Sequence, residues 1–544
     1  MTRRDFSRLG MLMQGSFGSG PGIVLSPAHR RAVNRRRRIA VQFDAYDQRL
    51  ARATPQEWLK YIFTFPDEEG SQIDSVLWDI GLDNWAVYPS KVLPPPREPR
   101  ILKWLEEGFE WVQALVRESK KRNLEVFWNH RFSEVDISPE GGLEMKLKHP
   151  LKAAHPDWVI RSWWWQGLWN AAAPGVREYK VRILRELAEN YELDGIRIDF
   201  ARHVPCLPPG RQWESRAHVT EFLRMVRAML LDVEKKRGRP ILLGVKVPRN
   251  LEGCRVDGFD VEAWAKQNLV DILTLGSRSI DVDIEGFRRV VGPDVELQPC
   301  LDDHHATDGY RYPPIEFFRG VFSNWWQQGA DSVSTFNWPA APVDWATRVG
   351  GNAGRPSHQQ AYHEIGSPAA MRLKDKMFAV ERRGGYPWAE GFFNRNDTAP
   401  LPVLLANDGR AANFTMRISD DLGAHSARVR QVALRLVLFR AAPGDQLEVR
   451  LNNRVLDSPQ QDPEWKDPQI FSPKPQPASG GKGDYKIDPA QKLLLLRYSL
   501  APGDCRLGKN EVSVRVLDRE PFLPGADIQI EKIEVTLEYS AERT

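Results

Sequence analysis

Arg197 and Asp199 stand two positions apart in "LDGIRIDFARH" (residues 193–203), at the end of a short apolar run. On an extended chain that spacing puts both side chains on one face, and a guanidinium beside a carboxyl favours its ionised form. Such a carboxylate is suited to act as a nucleophile or a general base. A lone pair of this kind would read equally as a plain ion pair, but other apolar runs also end in polar residues. These are Asp44, Asp79, Asn129-His130-Arg131, Arg202 and His203, Lys246 and Arg249, Ser277-Arg278, Asp302-Asp303-His304-His305, and Asn337-Trp338. Unpaired buried charge is costly, so polar residues repeated at run after run read as the lining of a site and not as core filling.

The elements that must position these residues are visible as eight short runs rich in Val, Ile, Leu and Phe. They are "IAVQFDAY" (39–46), "IDSVLWDIG" (73–81), "LEVFWNHRF" (124–132), "LDGIRIDF" (193–200), "ILLGVKV" (241–247), "VDILTLGS" (270–277), "VELQPCLDD" (295–303) and "DSVSTFNW" (331–338). Near-continuous apolar strands are those of a parallel sheet buried on both faces. Amphipathic segments such as "VREYKVRILRELAENYE" and "PIEFFRGVFSNWWQQG" lie between them, with apolar positions recurring every three or four residues. Eight strands alternating with helices predict an α/β fold, a (β/α)8 TIM barrel over residues 38–388, whose chemistry lies at the carboxyl ends of the strands.

Near residue 390 the texture changes to period-two stretches: "VALRLVLFR" (432–440), "DQLEVRLNN" (445–453), "KLLLLRYSL" (492–500), "NEVSVRVLD" (510–518) and "EKIEVTLEY" (531–539). Pro-Gly-Asp turn signals separate several of them, which predicts an all-β antiparallel sandwich over 389–544. "SPKPQPASGGKGD" (472–484) reads as a flexible insertion.

The motif "DGIRIDFARH" resembles strand four of the α-amylase family, and "VFWNH" and "LDDHH" are similar to that family's strand-three and strand-seven motifs. The resemblance implies Asp199 as nucleophile, Asp303 as transition-state stabiliser, and His130 and His304 as sugar-hydroxyl contacts. The chain departs from the family on strand five, where the family's acid/base is a Glu and "GVKVPRN" carries Lys246, with no carboxylate before Glu252. The proton donor is therefore expected at Asp303, then Asp44 or His130. The order of a barrel with "DGI.ID" on strand four, a segment "HPDWVIRSWWWQGLWNAAAPGVREY" (155–179) before it, and a C-terminal sandwich also resembles uncharacterised glycoside-hydrolase-like bacterial barrel proteins. A further resemblance, by position, is to inverting exo-sialidases of barrel-plus-sandwich build, with Asp44, His130 and Asn337 in the acid/base places.

The expectation is a glycosidase that degrades a poly- or oligosaccharide, and the alternatives are the sialidase-like enzyme and a non-catalytic carbohydrate-binding barrel. Expected substrate contacts are Asn129, Arg131, Arg197, Arg202, His203, Lys246, Arg278, Asp302, His304, Asn337, Trp338 and, within "SWWWQGLW", Trp164. Trp325 and Trp326 read instead as helix packing. The cations Arg131, Arg197, Arg202, Lys246, Arg249 and Arg278 suggest an anionic glycan, since guanidinium forks suit carboxylate and sulfate.

Adjacent residues of "DDHH" on a strand point to opposite faces, so no metal is expected there. The absence of Gly-rich phosphate loops argues against a nucleotide cofactor, and no cofactor is expected. The 76 basic and 72 acidic side chains nearly balance, giving a net charge of +4 that does not point to nucleic acid. No apolar run is long enough for a membrane span. The four cysteines stand far apart, as neither a zinc nor a disulfide framework requires. The partner expected is a carbohydrate, and nothing in the sequence specifies an oligomer. Arg3-Arg4 followed by Asp5-Phe6 resembles a twin-arginine export signal, implying a periplasmic or extracellular protein. The other reading of residues 1–37 is a disordered basic leader in a cytoplasmic protein, since a run such as "RRAVNRRRR" is usually solvated.

Overall fold

The computed structural model describes residues 22–44, 53–79, 85–96, 99–133, 149–161, 167–276, 279–302, 309–310, 313–338, 342–349, 354–382, 399–467, 492–520 and 527–540. Its first architecture is a closed parallel barrel. The strands are β1 (Ile39–Asp44), β2 (Ile73–Asp79), β3 (Glu125–Arg131), β4 (Gly195–Asp199), β5 (Leu242–Val247), β6 (Ile272–Leu275), β7 (Glu296–Asp302) and β8 (Val333–Phe336). Each pairs with its sequence neighbours, and β8 closes on β1. All eight predicted runs form strands, and the barrel is the fold the sequence predicts.

Strand alternation sorts the side chains. Val41, Val76, Val126, Ile198, Val245 and Leu273 face outward into the apolar layer shared with the surrounding helices. The inward residues stack in tiers. Near the amino ends of the strands, Arg37 is ringed by Glu125 and Glu296. Above it Ala40, Leu77, Phe127, Leu242 and Ile272 form an apolar tier. The tier above that is polar and leads to the mouth. Gly195 makes room for the bulkiest member of the apolar tier, because a Cβ there would stand 2.1 Å from the Phe127 ring.

The basic run after residue 29 differs from the expectation of a solvated leader. Pro27–Val33 forms a helix, and Arg37 beyond it is buried. Its Nε and Nη2 donate to Glu125 at 2.6 and 2.7 Å, and its Nη1 donates to Glu296 at 2.6 Å. Two inward carboxylates at the strand starts make the base of the barrel a cation site, and that long-range partner outweighs the local preference of like charges for water. His29 is also buried, with Nδ1 2.7 Å from Glu234 and Nε2 3.0 Å from Asp271. The twin-arginine-like motif lies outside the described residues.

The C-terminal region forms two antiparallel sheets. One runs in the order Lys376–Ala379, Gln529–Tyr539, Val429–Phe439, Leu493–Leu500, Gln460–Trp465, with Val403–Leu404 added to Gln529–Tyr539. The other runs Ala412–Ile418, Gly508–Asp518, Gln446–Leu451, Arg454–Val455. Alternate residues of the two sheets, among them Leu434, Leu436, Val514, Ile533 and Val535, meet in one apolar core. The expected boundary near residue 389 falls outside the described residues, and Lys376–Ala379 ahead of it already pairs with the C-terminal sheet.

Candidate active site

The upper barrel is a continuous hydrogen-bonded polar tier. Arg197 crosses the lumen from β4, donating through Nε to Asn129 Oδ1 at 2.7 Å, through Nη1 to Thr274 at 3.3 Å, and through Nη2 to Gln42 Oε1. Gly244 on the adjacent strand leaves space for it, since a Cβ there would come within 3.2 Å of Arg197 Cγ. Gln42 Oε1 also accepts from Lys246 Nζ at 3.1 Å. The other end of the same amide donates to Asp79 Oδ2 at 3.1 Å. That oxygen takes two more donors, Asn129 Nδ2 at 2.6 Å and Arg131 Nε at 3.0 Å. Gln42 and Asp79 therefore tie β1 to β5 through wholly buried groups.

Asp44 sits where this network reaches solvent, with its side chain 26% exposed. Arg131 Nη2 donates to Oδ1 at 2.6 Å and Asn337 Nδ2 to Oδ2 at 3.0 Å. Burial alone would raise this carboxyl's pKa. Arg131, the Asn337 hydrogen bond and Arg202 outweigh it and hold Asp44 below the ordinary carboxylate value.

Asp199 ends β4 in register between Arg131 of β3 and Lys246 of β5. Its Oδ1 accepts the backbone N–H groups of Ala201 at 3.0 Å and Arg202 at 2.9 Å. Oδ2 has no hydrogen-bond donor among the described residues, and Lys246 Nζ stands 3.8 Å from it. One oxygen is thus fixed by the turn that follows the strand, while the other keeps its lone pairs. Asp302 ends β7 on the inward face, in register with Phe336.

Several expected site residues fall elsewhere. His130 lies between the two inward residues Asn129 and Arg131, so the two-residue period turns it outward. Its Nε2 lies 3.2 Å from Nζ of Lys180 on the helix Pro174–Asn190. The described contacts thus place it against this helix and not beside Asp44 in the lumen. Trp338 is fully buried and stacked on His358 with ring centroids 4.5 Å apart, so it is part of the wall and not a sugar platform. The turn at Asn337, whose φ is +56°, sends the next side chain behind the strand. His203 is held through Nδ1 at 3.0 Å from the Ser133 carbonyl. Arg249 Nη1 donates to Glu381 at 2.6 Å. Trp164, Arg278, Asp303 and His304 lie outside the described residues.

The cationic lining takes on a different meaning in this geometry. Arg131, Arg197, Lys246 and Arg249 are engaged by the protein's own oxygens, so these four do not by themselves argue for an anionic substrate. Gln42 and Thr274 carry much of the network without having been expected as site residues, whereas Asp79 stood among the expected polar strand ends. A lone polar residue at inward parity inside an apolar run, as in "IAVQFD", is the signal that points to them. Among the described residues no cluster of three or more His, Cys, Asp or Glu could hold a metal, and no described helix is long and apolar enough to cross a membrane.

Residues 60–211, which include β2, β3 and β4, match the family model "Glycosyl hydrolase-like 10". Comparison with curated proteins gives no match. Among solved structures, the chain is similar to alpha-L-fucosidase isoenzyme 2 from Paenibacillus thiaminolyticus, at 13% identity and a TM-score of 0.40. That likeness covers 63% of this chain and 51% of the fucosidase, so the chain spans about half of that protein's length. The PgaB (BpsB) glycoside hydrolase domain from Bordetella bronchiseptica is similar at 12% identity and a TM-score of 0.39, covering 61% of this chain and 99% of that domain. The alpha-amylase from Geobacillus thermoleovorans is similar at 14% identity and a TM-score of 0.35, covering 93% of this chain and 99% of the amylase.

Proposed function

We propose that this chain is a glycoside hydrolase acting on a poly- or oligosaccharide at the carboxyl end of the barrel, with Asp199 as the ionised carboxylate that faces the anomeric carbon. The observation that carries this reading is the unequal state of its two oxygens: Oδ1 is fixed by two backbone N–H groups, while Oδ2 has no hydrogen-bond donor among the described residues. The match of residues 60–211 to a glycosyl-hydrolase-like family supports it, because the matched span includes Asp199.

In this reading the glycosidic bond breaks through an oxocarbenium-like transition state. Asp199 stabilises or attacks the anomeric carbon, a carboxylic acid protonates the leaving oxygen, and water supplies the hydroxyl of the new hemiacetal. Asp44, held ionised by Arg131, Asn337 and Arg202, suits the base that takes a proton from that water, and is poorly suited to donate one. Asp303, next along the chain after the inward Asp302, is the first choice for the proton donor. Lys246 occupies the β5 place that a carboxylate fills in α-amylase-like enzymes, and this favours one second reading, a carbohydrate-binding barrel without turnover.

Reducing-end release from a panel of neutral, uronate, sialylated and sulfated glycans tests the proposal. Release should fall on the order of a thousandfold or more in Asp199→Asn while sugar affinity is kept. Binding without release from any glycan would move the assignment to the non-catalytic barrel. A preference for sulfated or uronate glycans over their neutral parents would give Arg202 and Arg278 the task of reading an anionic group.

A further inference from the structure

The amino end of the barrel carries positive charge that the protein does not use. Arg37 folds the basic segment around itself: besides Glu125 and Glu296, its guanidinium donates to the carbonyls of Ala32 at 2.9 Å, Val33 at 2.9 Å and Arg35 at 3.2 Å. His29, between Glu234 and Asp271, pins the helix Pro27–Val33 beneath the strands. The carboxylates that draw the segment in are thus taken by Arg37 and His29, and Arg30, Arg31, Arg35 and Arg36 are left exposed on the outside. Arg35 comes no nearer than 4.0 Å to Glu125, and among the described residues no carboxylate pairs with Arg30, Arg31 or Arg36. Acids in the turns that enter the strands are matched locally: Arg122 donates to Asp67, Arg38 to Asp74, Arg239 to Glu192 and Arg288 to Asp331. Glu69 and Asp294, exposed in those turns, leave the balance positive.

The same face shows an apolar side chain. Ile23 is tied to the turn before β6, its N–H donating to the Gln267 carbonyl at 3.1 Å and its carbonyl accepting from Asn268 Nδ2 at 2.9 Å. Leu25 is buried, and Val24 between them stands 90% exposed. Exposed cations with no internal partner attract anionic groups, and at a lipid surface each is worth about fivefold in partitioning. An exposed aliphatic side chain beside them favours a surface whose headgroups cover hydrocarbon. A single-stranded nucleic acid would call for aromatic platforms among the cations, and residues 22–38 contain no Phe, Tyr or Trp. The direction also fits. The arginines stand ahead of β1 and Asp44 ends it, six residues or about 20 Å further along, so a surface met by the base leaves the mouth facing away.

We propose that the base of the barrel is a docking face for an anionic lipid bilayer, with Arg30, Arg31, Arg35 and Arg36 on the headgroups and Val24 at the acyl boundary. The contact is peripheral and electrostatic, and it does not depend on the chemistry at the mouth. Co-sedimentation of the full chain with vesicles tests it, using phosphatidylcholine alone and phosphatidylcholine mixed in equal parts with phosphatidylglycerol. The chain should sediment with the mixed vesicles at low salt, stay in solution with phosphatidylcholine alone, and come off as sodium chloride shortens the Debye length. The triple variant Arg30→Gln/Arg31→Gln/Arg36→Gln should bind the mixed vesicles about a hundredfold more weakly, at about fivefold for each charge. Lys466→Gln/Lys492→Gln/Arg506→Gln removes three exposed cations of the C-terminal region and lowers the net charge equally. Because those cations lie far from the docked surface, it should leave binding within about twofold. Equal losses in the two triple variants would reduce the effect to net charge and overturn the docking face. A full chain that ignores the mixed vesicles overturns it without any variant, and tighter binding to duplex DNA than to the vesicles overturns it in favour of a nucleic-acid partner.

Discussion

Asn337 and Asp44 hold each other reciprocally across the seam where β8 closes on β1. Asn337 Nδ2 donates to Asp44 Oδ2 at 3.0 Å, and Asn337 Oδ1 accepts the Asp44 backbone N–H at 2.8 Å. Asn337 adopts a φ of +56°, a region that asparagine and glycine tolerate. Asn337→Gly therefore keeps the backbone and removes only the clamp. Without that hydrogen bond the Asp44 pKa should rise toward its ordinary value, so the acid limb of kcat/KM should move to higher pH, with roughly a tenfold loss at the optimum. An unchanged acid limb would mean that ionised Asp44 is not used in the reaction.

Arg37 is the only cation bonded to both Glu125 and Glu296 among the described residues, and all three are buried. Removing one member of such a cluster leaves uncompensated charge in the interior. Arg37→Met should cost about 3–5 kcal/mol of barrel stability. Arg36→Met, one residue away and exposed, should change stability by less than about 0.5 kcal/mol. Urea denaturation followed by tryptophan fluorescence compares the two. Equal midpoints would show that the base of the barrel does not depend on its arginine.

The same cluster should make stability depend on pH. Burial pushes the Glu296 carboxyl from its ordinary 4.5 to about 7, against the pull of Arg37, whose guanidinium forms two hydrogen bonds with Glu125 and one with Glu296. The folded protein thus holds this proton more tightly than the unfolded chain. The contribution is full below about pH 4.5 and is lost as pH rises through about 7. His29 acts in the same direction: burial lowers its pKa, Asp271 and Glu234 raise it more, and the net rise means stability lost as pH climbs past its ordinary 6.5. Tm should therefore fall between about pH 5 and pH 8, and Glu296→Gln should flatten part of that slope, leaving the share that belongs to His29. A slope identical in the variant would remove Glu296 from this role.

The barrel was legible because its strands are apolar on both faces and need no partner to declare themselves. "ILLGVKV" or "VDILTLGS" cannot form an exposed or half-exposed element without stranding several large side chains in water. The polar tier was legible at the strand ends, where Asp44, Asp199 and Asp302 interrupt that pattern. Arg37 was not, because its burial depends on Glu125 and Glu296, which lie 88 and 259 residues away and have no local signature. Trp338 was misread for a related reason. An aromatic residue at a strand end suits a sugar platform and a wall equally, and the left-handed turn at Asn337 decides between them.

His130 shows how far strand parity alone can carry a prediction. Asn129 and Arg131 both bond to Asp79 in the lumen, so the residue between them must face the helices, where Lys180 meets it at 3.2 Å. A pair so buried packs β3 against the helix Pro174–Asn190, and a purely structural part for it is the expectation to test. His130→Gln should accordingly lower Tm by several degrees, consistent with a loss of about 1–3 kcal/mol, while kcat stays within about twofold of the wild type. Measuring both on one preparation separates the roles. A hundredfold fall in kcat at unchanged Tm would show that the imidazole reaches the substrate and would restore it to the acid/base machinery beside Asp44.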